Sequence, residues 1–477
     1  MLGLALVILA VVRSTGPSVS VSYPKTIMGQ FTGRIYVFVS KDSASEPRLG
    51  PDWKNPGPVL VADVKQTKAD TDIPVNDVGA TGSFLGLATL SPGDYTFQAV
   101  IDRNPLSPRM GDGDGNLYST PVRAHVDSVG ATVKLVCDQV IDEPTAHSSG
   151  TVKIVELESI ALSNAQRRSV VWRAVVVLPN EFATQASRKF PMVLDIPDRG
   201  DSYANYPSRD TNQAAYRDGK PFVYVRLDPE SATGYHYMAD SANNGPYCKA
   251  LVNEFLPYVA KQYHGDPSHV VVSGTGAGGW SALCLQVSQP GAFAGCWAIR
   301  PDSVDFHIMR GLNLYTATNA LRSESGTPQP WTRGGEETWQ VHSDIEKVLR
   351  GFWISGWESD FSPKGKNGKP LPLFDRTTGQ IDPIVAKAWQ VYDLDAYLKT
   401  NWSTLGSQLA DKLHVFSMVG DPGFRSDAVQ LLQADLTQLG AHADIALRRP
   451  SGVDVTGDLG LAVQIARAEA AACYPGR

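Results

Sequence analysis

The chain has 477 residues, 42% of them hydrophobic and 19% charged, with a net charge of −6. These are ordinary globular values for about two to three domains. With no basic excess, they exclude nucleic acid as a partner and a membrane surface held by charge. Its 10 Trp and 17 Tyr would suit carbohydrate or aromatic contacts as well as core packing.

Met1 to Val12 is an apolar run followed by Arg13-Ser14-Thr15-Gly16. It is too short to span a bilayer and resembles the apolar core of an export signal, although a charged start and an A-x-A site are missing. The expectation is a signal over 1–16 and a secreted or periplasmic protein; the alternative is a first core strand. No other segment is long and apolar enough for a transmembrane span.

Residues 19–140 predict an all-β module. Gly33 to Ser40 and Gly93 to Asp102 alternate at period two, Ala131 to Cys137 closes the set, and turn-rich loops lie between, which suggests a β-sandwich. Asp112, Asp114 and Asn116 have the flavour of a calcium loop. Leu117 stands where glycine is needed and no glutamate closes the loop, so a turn is expected.

After a linker at 141–150, residues 150–477 show the βα alternation of a mostly parallel sheet. The expected strands are 170–177, 192–196, 222–226, 270–273, 295–299, 413–418 and 444–447. The expected helices are 245–263, 280–288, 426–439 and 459–471. A Trp-rich piece at 313–405 breaks the rhythm and reads as an insertion over one end of the sheet. The five cysteines make no C-x-x-C and no zinc-like cluster, so neither a metal nor a cofactor is expected.

The chain is organised around Val270 to Leu283, a buried strand, a Gly-rich turn and a helix start. Gly274-Thr275-Gly276-Ala277-Gly278 has the spacing of the G-x-S-x-G nucleophile elbow, with glycine at the serine position. Gly274 to Gly279 also fits G-x-G-x-x-G, which leaves dinucleotide binding as an alternative. A dinucleotide fold leaves the three strands upstream of the motif unexplained.

The segments Phe31 to Asp42, Ala239 to Pro246, Gly278 to Val287, Arg300 to Phe306 and Leu373 to Pro383 resemble the esterase D and enterochelin esterase branch of the α/β-hydrolases, in its exported form with an N-terminal β-module. The resemblance implies an α/β-hydrolase fold over 150–477 and a catalytic Ser, acid and His arriving in that chain order. By position the nucleophile falls on Gly276, the acid on Asp421 and the base on Val455. The second acid of the branch's G-D-x-D pattern falls on Gly423. No histidine follows His442, so the loop after the last strand has none. Losing a triad serine or histidine costs roughly a factor of 10⁶ in turnover.

The resemblance further implies an oxyanion site made by the amide of Ala277 and one from the loop after Ile196. Thr275, His236, Asn243, Asn244 and Trp280 lie where such folds bind ligands. His236 could equally make a structural hydrogen bond, and the two asparagines could cap the following helix. The expected function is an esterase-like protein without turnover. It would bind a small molecule, carbohydrate or protein at the former active-site cleft, or serve a structural role. The alternative is an active carboxylesterase with a displaced nucleophile at Thr275 or Ser273.

Overall fold

The computed structural model describes residues 17–41, 45–51, 56–76, 82–127, 130–142, 148, 150–185, 187–201, 203, 219–231, 233–349, 352–448 and 459–474. The chain divides into two compact units, Met1–Glu143 with Lys347–Leu349, and Pro144–Glu346 with Arg350–Arg477. The export-signal segment and Val455 both lie outside the described residues.

In the first unit nine strands form one continuous hydrogen-bonded set. Strand Ser18–Ser22 runs parallel to Thr132–Val140, while Gln30–Ser40 pairs antiparallel with Val59–Lys68 and Gly93–Asp102. Alternation is cleanest in Thr132–Val140, where Val133, Leu135 and Cys137 are buried and the residues between them exposed. Val19, Val21, Val133 and Leu135 join Ile35, Val37, Phe97 and Ala99 in one core, so the strand set folds over on itself. The acidic loop is a closed turn. Asn116 Oδ1 accepts from the amides of Arg103 (2.7 Å) and Asn104 (2.9 Å), and its Nδ2 donates to Met110 O (3.0 Å).

The second unit is an eight-stranded sheet in the order Val152–Glu158, Val171–Val177, Val223–Leu227, Phe190–Ile196, Gly265–Thr275, Gly295–Ile299, Leu413–Met418 and Ala443–Arg448. The first two strands pair antiparallel and the remaining six run parallel. Val270, Val271 and Val272 are all buried because helices cover both faces, and this is why the strand reads as a continuous apolar run. Helix Ala277–Ser288 is buried from Ala277 through Val287. The fold is that of the α/β-hydrolases.

Strand Val152–Glu158 and helix Ile160–Gln166 were not anticipated. In the strand only Val152 and Val155 are buried, a spacing without period two, because it lies at the sheet edge. It makes the elbow strand the fifth of this unit in chain order, not the fourth. The helix expected from Gly245 begins at Tyr247. Gly245 instead belongs to a short β-arm pairing Asp240–Ser241 with Gly245–Pro246.

The Trp-rich insertion contains helices Trp353–Phe361, Pro383–Trp389 and Leu394–Leu409. Trp331, Trp339 and Trp389 are among its fully buried side chains. All five cysteines are free and buried. Among the described residues no helix is long and apolar enough to cross a membrane.

Candidate active site

Strand Gly265–Thr275 and helix Ala277–Ser288 leave one residue, Gly276, to turn the chain. Its φ of 58° and ψ of −119° lie where a side chain costs about 1–3 kcal/mol. The turn is fixed from three sides. Gly276 N donates to Ile299 O (2.9 Å), and Gly276 O accepts from Trp280 N (3.1 Å) and Asp302 N (3.0 Å). The neighbouring glycines serve close packing. A Cβ at Gly278 would overlap Ile196 O, and one at Gly274 would overlap Gly278 O.

What stands above Gly276 is a carboxylate. A Cβ built on Gly276 would overlap Cγ, Oδ1 and Oδ2 of Asp198, in the loop after strand Phe190–Ile196. Asp198 Oδ1 accepts hydrogen bonds from the amides of Ala277 (2.9 Å) and Arg199 (2.8 Å). One amide follows the nucleophile position and the other comes from the loop after Ile196, the two places where a hydrolase puts its oxyanion donors. Here both point at the chain's own Asp198. Burial and the charge of Asp302 push the Asp198 carboxyl up, while the two amides and Arg425 act the other way.

Around this carboxylate lies a buried polar network. Tyr237 OH donates to Asp302 Oδ2 (2.8 Å) and accepts from Trp357 Nε1 (2.6 Å) and from the Arg199 guanidinium. Arg310 Nη2 donates to Asp302 Oδ1 (3.2 Å). Arg199 and Arg310 both stack on Trp353, with Cζ 3.9 and 4.5 Å from its ring centroid. Trp353 and Trp357 belong to the insertion, which thus packs onto the loops beside the elbow. Burial lowers the Arg310 pKa, and the neighbouring Arg425 and Arg199 add to that.

Asp421 is fully buried after strand Leu413–Met418. Its Oδ2 accepts from Arg300 Nη2 (3.0 Å) and Arg425 Nη2 (2.9 Å), and its Oδ1 from Arg425 Nε (3.0 Å) and Gly423 N (2.9 Å). Burial alone would raise its pKa, but the guanidiniums of Arg425 and Arg300 outweigh it and hold the carboxyl at about 2. The orienting acid of a triad would face a histidine; Asp421 is held by two arginines. At Gly423 a Cβ would overlap the Arg310 guanidinium, so that space too is occupied.

The other candidates have partners of their own. Ser273 Oγ faces Trp297 O at 3.5 Å, and Thr275 ends the elbow strand. His236 stacks on Tyr247 (ring centroids 4.0 Å apart), and burial lowers its pKa to about 3, so it is neutral. Asn243 Nδ2 donates to Ser362 O (2.8 Å) and Asn244 Nδ2 to Asp360 Oδ1 (2.9 Å). The two asparagines brace the β-arm, and the helix that follows is capped at Pro246. Trp280 is buried with its ring edge on Tyr237 (5.4 Å). It also lines a cavity of about 230 Å³ with Cys248, Cys284, Val287, Tyr392 and Leu394.

Sequence reasoning missed Asp198, Arg199, Tyr237, Asp302 and Arg310 as site residues. A signal was present: Asp198-Arg199, Arg300 with Asp302, and Asp421 with Arg425 put opposite charges at the C-terminal ends of three parallel strands.

Residues 175–351 match the family model described as "Putative esterase". Among solved structures, a ferulic acid esterase is 12% identical, with 68% of this chain and 98% of that one covered at a TM-score of 0.41. An S-formylglutathione hydrolase from Agrobacterium tumefaciens is 13% identical, with coverage of 69% and 98% and a TM-score of 0.41. The fluorophosphonate-binding serine hydrolase FphF of Staphylococcus aureus is 13% identical, with coverage of 69% and 100% and a TM-score of 0.40. No curated protein matches. The segment that carries the elbow thus matches the putative-esterase family of the α/β-hydrolases.

Proposed function

We propose that this protein is an esterase-fold member that does not turn over esters and acts by binding a ligand or partner. The observation that carries the proposal is the Asp198 carboxylate, which lies where a nucleophile's side chain would project and accepts from both oxyanion-type amides. An ester carbonyl would need those same two N–H groups for its developing negative charge. Bringing it there would press an oxyanion against a carboxylate already in place. The missing histidine after His442 and the arginine-bound Asp421 agree with this reading. The protein would be exported, and the insertion's aromatic side chains beside Arg199 and Arg310 would meet the partner.

The test is a fluorophosphonate probe with peptide mapping, run beside short-chain p-nitrophenyl esters. No labelled residue in the elbow region and no hydrolysis above a denatured control are expected. Labelling of Ser273 or Thr275, with turnover that disappears in Ser273→Ala or Thr275→Val, would establish the active-enzyme alternative instead.

A further inference from the structure

Away from the elbow, three carboxylates converge from three elements. Asp305 comes from the loop after strand Gly295–Ile299, Asp395 from the first turn of helix Leu394–Leu409, and Asp435 from helix Arg425–Gln438. Each offers an oxygen, and the three oxygens lie within 4.8 Å of one another. Asp305 and Asp395 are 2% and 1% exposed, while Asp435 leaves the cluster open to solvent on one side.

Neighbouring groups already have structural work. Asp393 accepts from the amides of Ala396 (3.0 Å) and Phe306 (2.8 Å) and from Tyr315 OH (2.9 Å). Asp305 Oδ1 meets the amide and ring Nδ1 of His307 at 2.8 and 2.7 Å. Asp395 is different, because among the described residues its Oδ1 accepts no hydrogen bond and its Oδ2 meets only Lys399 Nζ, at 3.1 Å. Lys399 Nζ also donates to Asp435 Oδ2 at 2.6 Å. One ammonium thus faces three carboxylates, with Asp393 as a fourth beside them. Leaving a buried carboxylate oxygen without a partner is costly, and a cation is the group that would relieve it.

We propose that Asp305, Asp395 and Asp435 form a binding site for a hard divalent cation, calcium in the first place, with water completing its shell. The donors are all oxygens on three separate elements, which suits the larger and geometrically more tolerant ion better than magnesium. Lys399, 40% exposed, serves as the counter-charge when the ion is absent and turns out to solvent when it binds. The charged groups facing Asp395 are Lys399 on its own helix, Asp435 across from it, and Asp305, His307 and Asp393. The ion would tie the insertion to the loop that leaves the elbow's neighbouring strand, where Asp395 N already donates to Val304 O (3.0 Å). The sequence had called for no metal, because these three residues are separated by 90 and 40 positions in the chain.

The test is calorimetric titration of EDTA-treated full-length protein with CaCl₂ and with MgCl₂, together with melting curves. One saturable site and a raised Tm in calcium are expected. Asp395→Asn and Asp435→Asn should each weaken binding at least about tenfold. Asp435 is the less buried of the two, so its variant keeps the test readable if Asp395→Asn fails to fold. The absence of heat and Tm shift with either ion at millimolar concentration would overturn the proposal, as would binding that persists in both variants.

Discussion

The occupation of the nucleophile's place by Asp198 can be tested as a double-mutant cycle on stability. Gly276→Ala adds one methyl group where the Asp198 carboxylate now sits. The backbone conformation of Gly276 costs alanine about 1–3 kcal/mol. Displacing the carboxylate also removes its bonds from the Ala277 and Arg199 amides, each about 1.5–3 kcal/mol for a charged acceptor. The sum is about 4 kcal/mol or more. In an Asp198→Ala background the same change meets no carboxylate, and only the backbone cost of about 1–3 kcal/mol remains. The coupling energy is therefore about 3 kcal/mol, well outside the ~0.5 kcal/mol expected of independent sites. Urea unfolding followed by tryptophan fluorescence reads the elbow's own unit, which holds every tryptophan except Trp53. If Gly276→Ala costs the same in both backgrounds, Asp198 does not fill that space and the reasoning about the plugged oxyanion site fails.

Three further outcomes are expected. Gly276→Ser with Val455→His should hydrolyse p-nitrophenyl acetate faster than either single change, and adding Asp198→Ala should raise the rate again by freeing the two amides; equal rates with and without Asp198→Ala would count against the plug. Asp421→Asn should destabilise the protein by about 3–5 kcal/mol at neutral pH, because it breaks a buried pairing with Arg300 and Arg425. Since the folded-state pKa of Asp421 is depressed to about 2, its contribution is present above pH ~4 and is lost as pH falls towards 2, so the variant's stability should decline less over that window when measured by urea unfolding. Intact-mass measurement on native material should show the first 16 residues removed, and retention of Met1 would refute the proposed export signal.

The sequence by itself determined the second unit's strand order along the chain and most of its limits, because strands covered on both faces must be continuous apolar runs. Gly295–Ile299 and Leu413–Met418 coincide with the expected segments, and the helix over Arg425–Gln438 is displaced by one residue. Gly276 and the histidine-free loop were legible for a simpler reason: a side chain that is absent from the sequence cannot be supplied by folding. Strand Val152–Glu158 was not legible, since an edge strand buries too little to impose a pattern.

Only tertiary structure decided what stands at the nucleophile position. Asp198 lies 78 residues before Gly276, and nothing local says that its carboxylate turns onto the Ala277 and Arg199 amides. Asp421 looked like a surviving triad acid from chain order alone. Its partners Arg300 and Arg425 became visible only when two adjacent parallel strands brought their ends together. His236, Asn243 and Asn244 stood on loops that sequence assigned to the ligand edge, yet each contacts packed neighbours, since a buried polar group takes whatever partner the fold brings within reach. Residue type and order fix which side chains are available; which charge faces which depends on contacts between strand ends far apart in the chain.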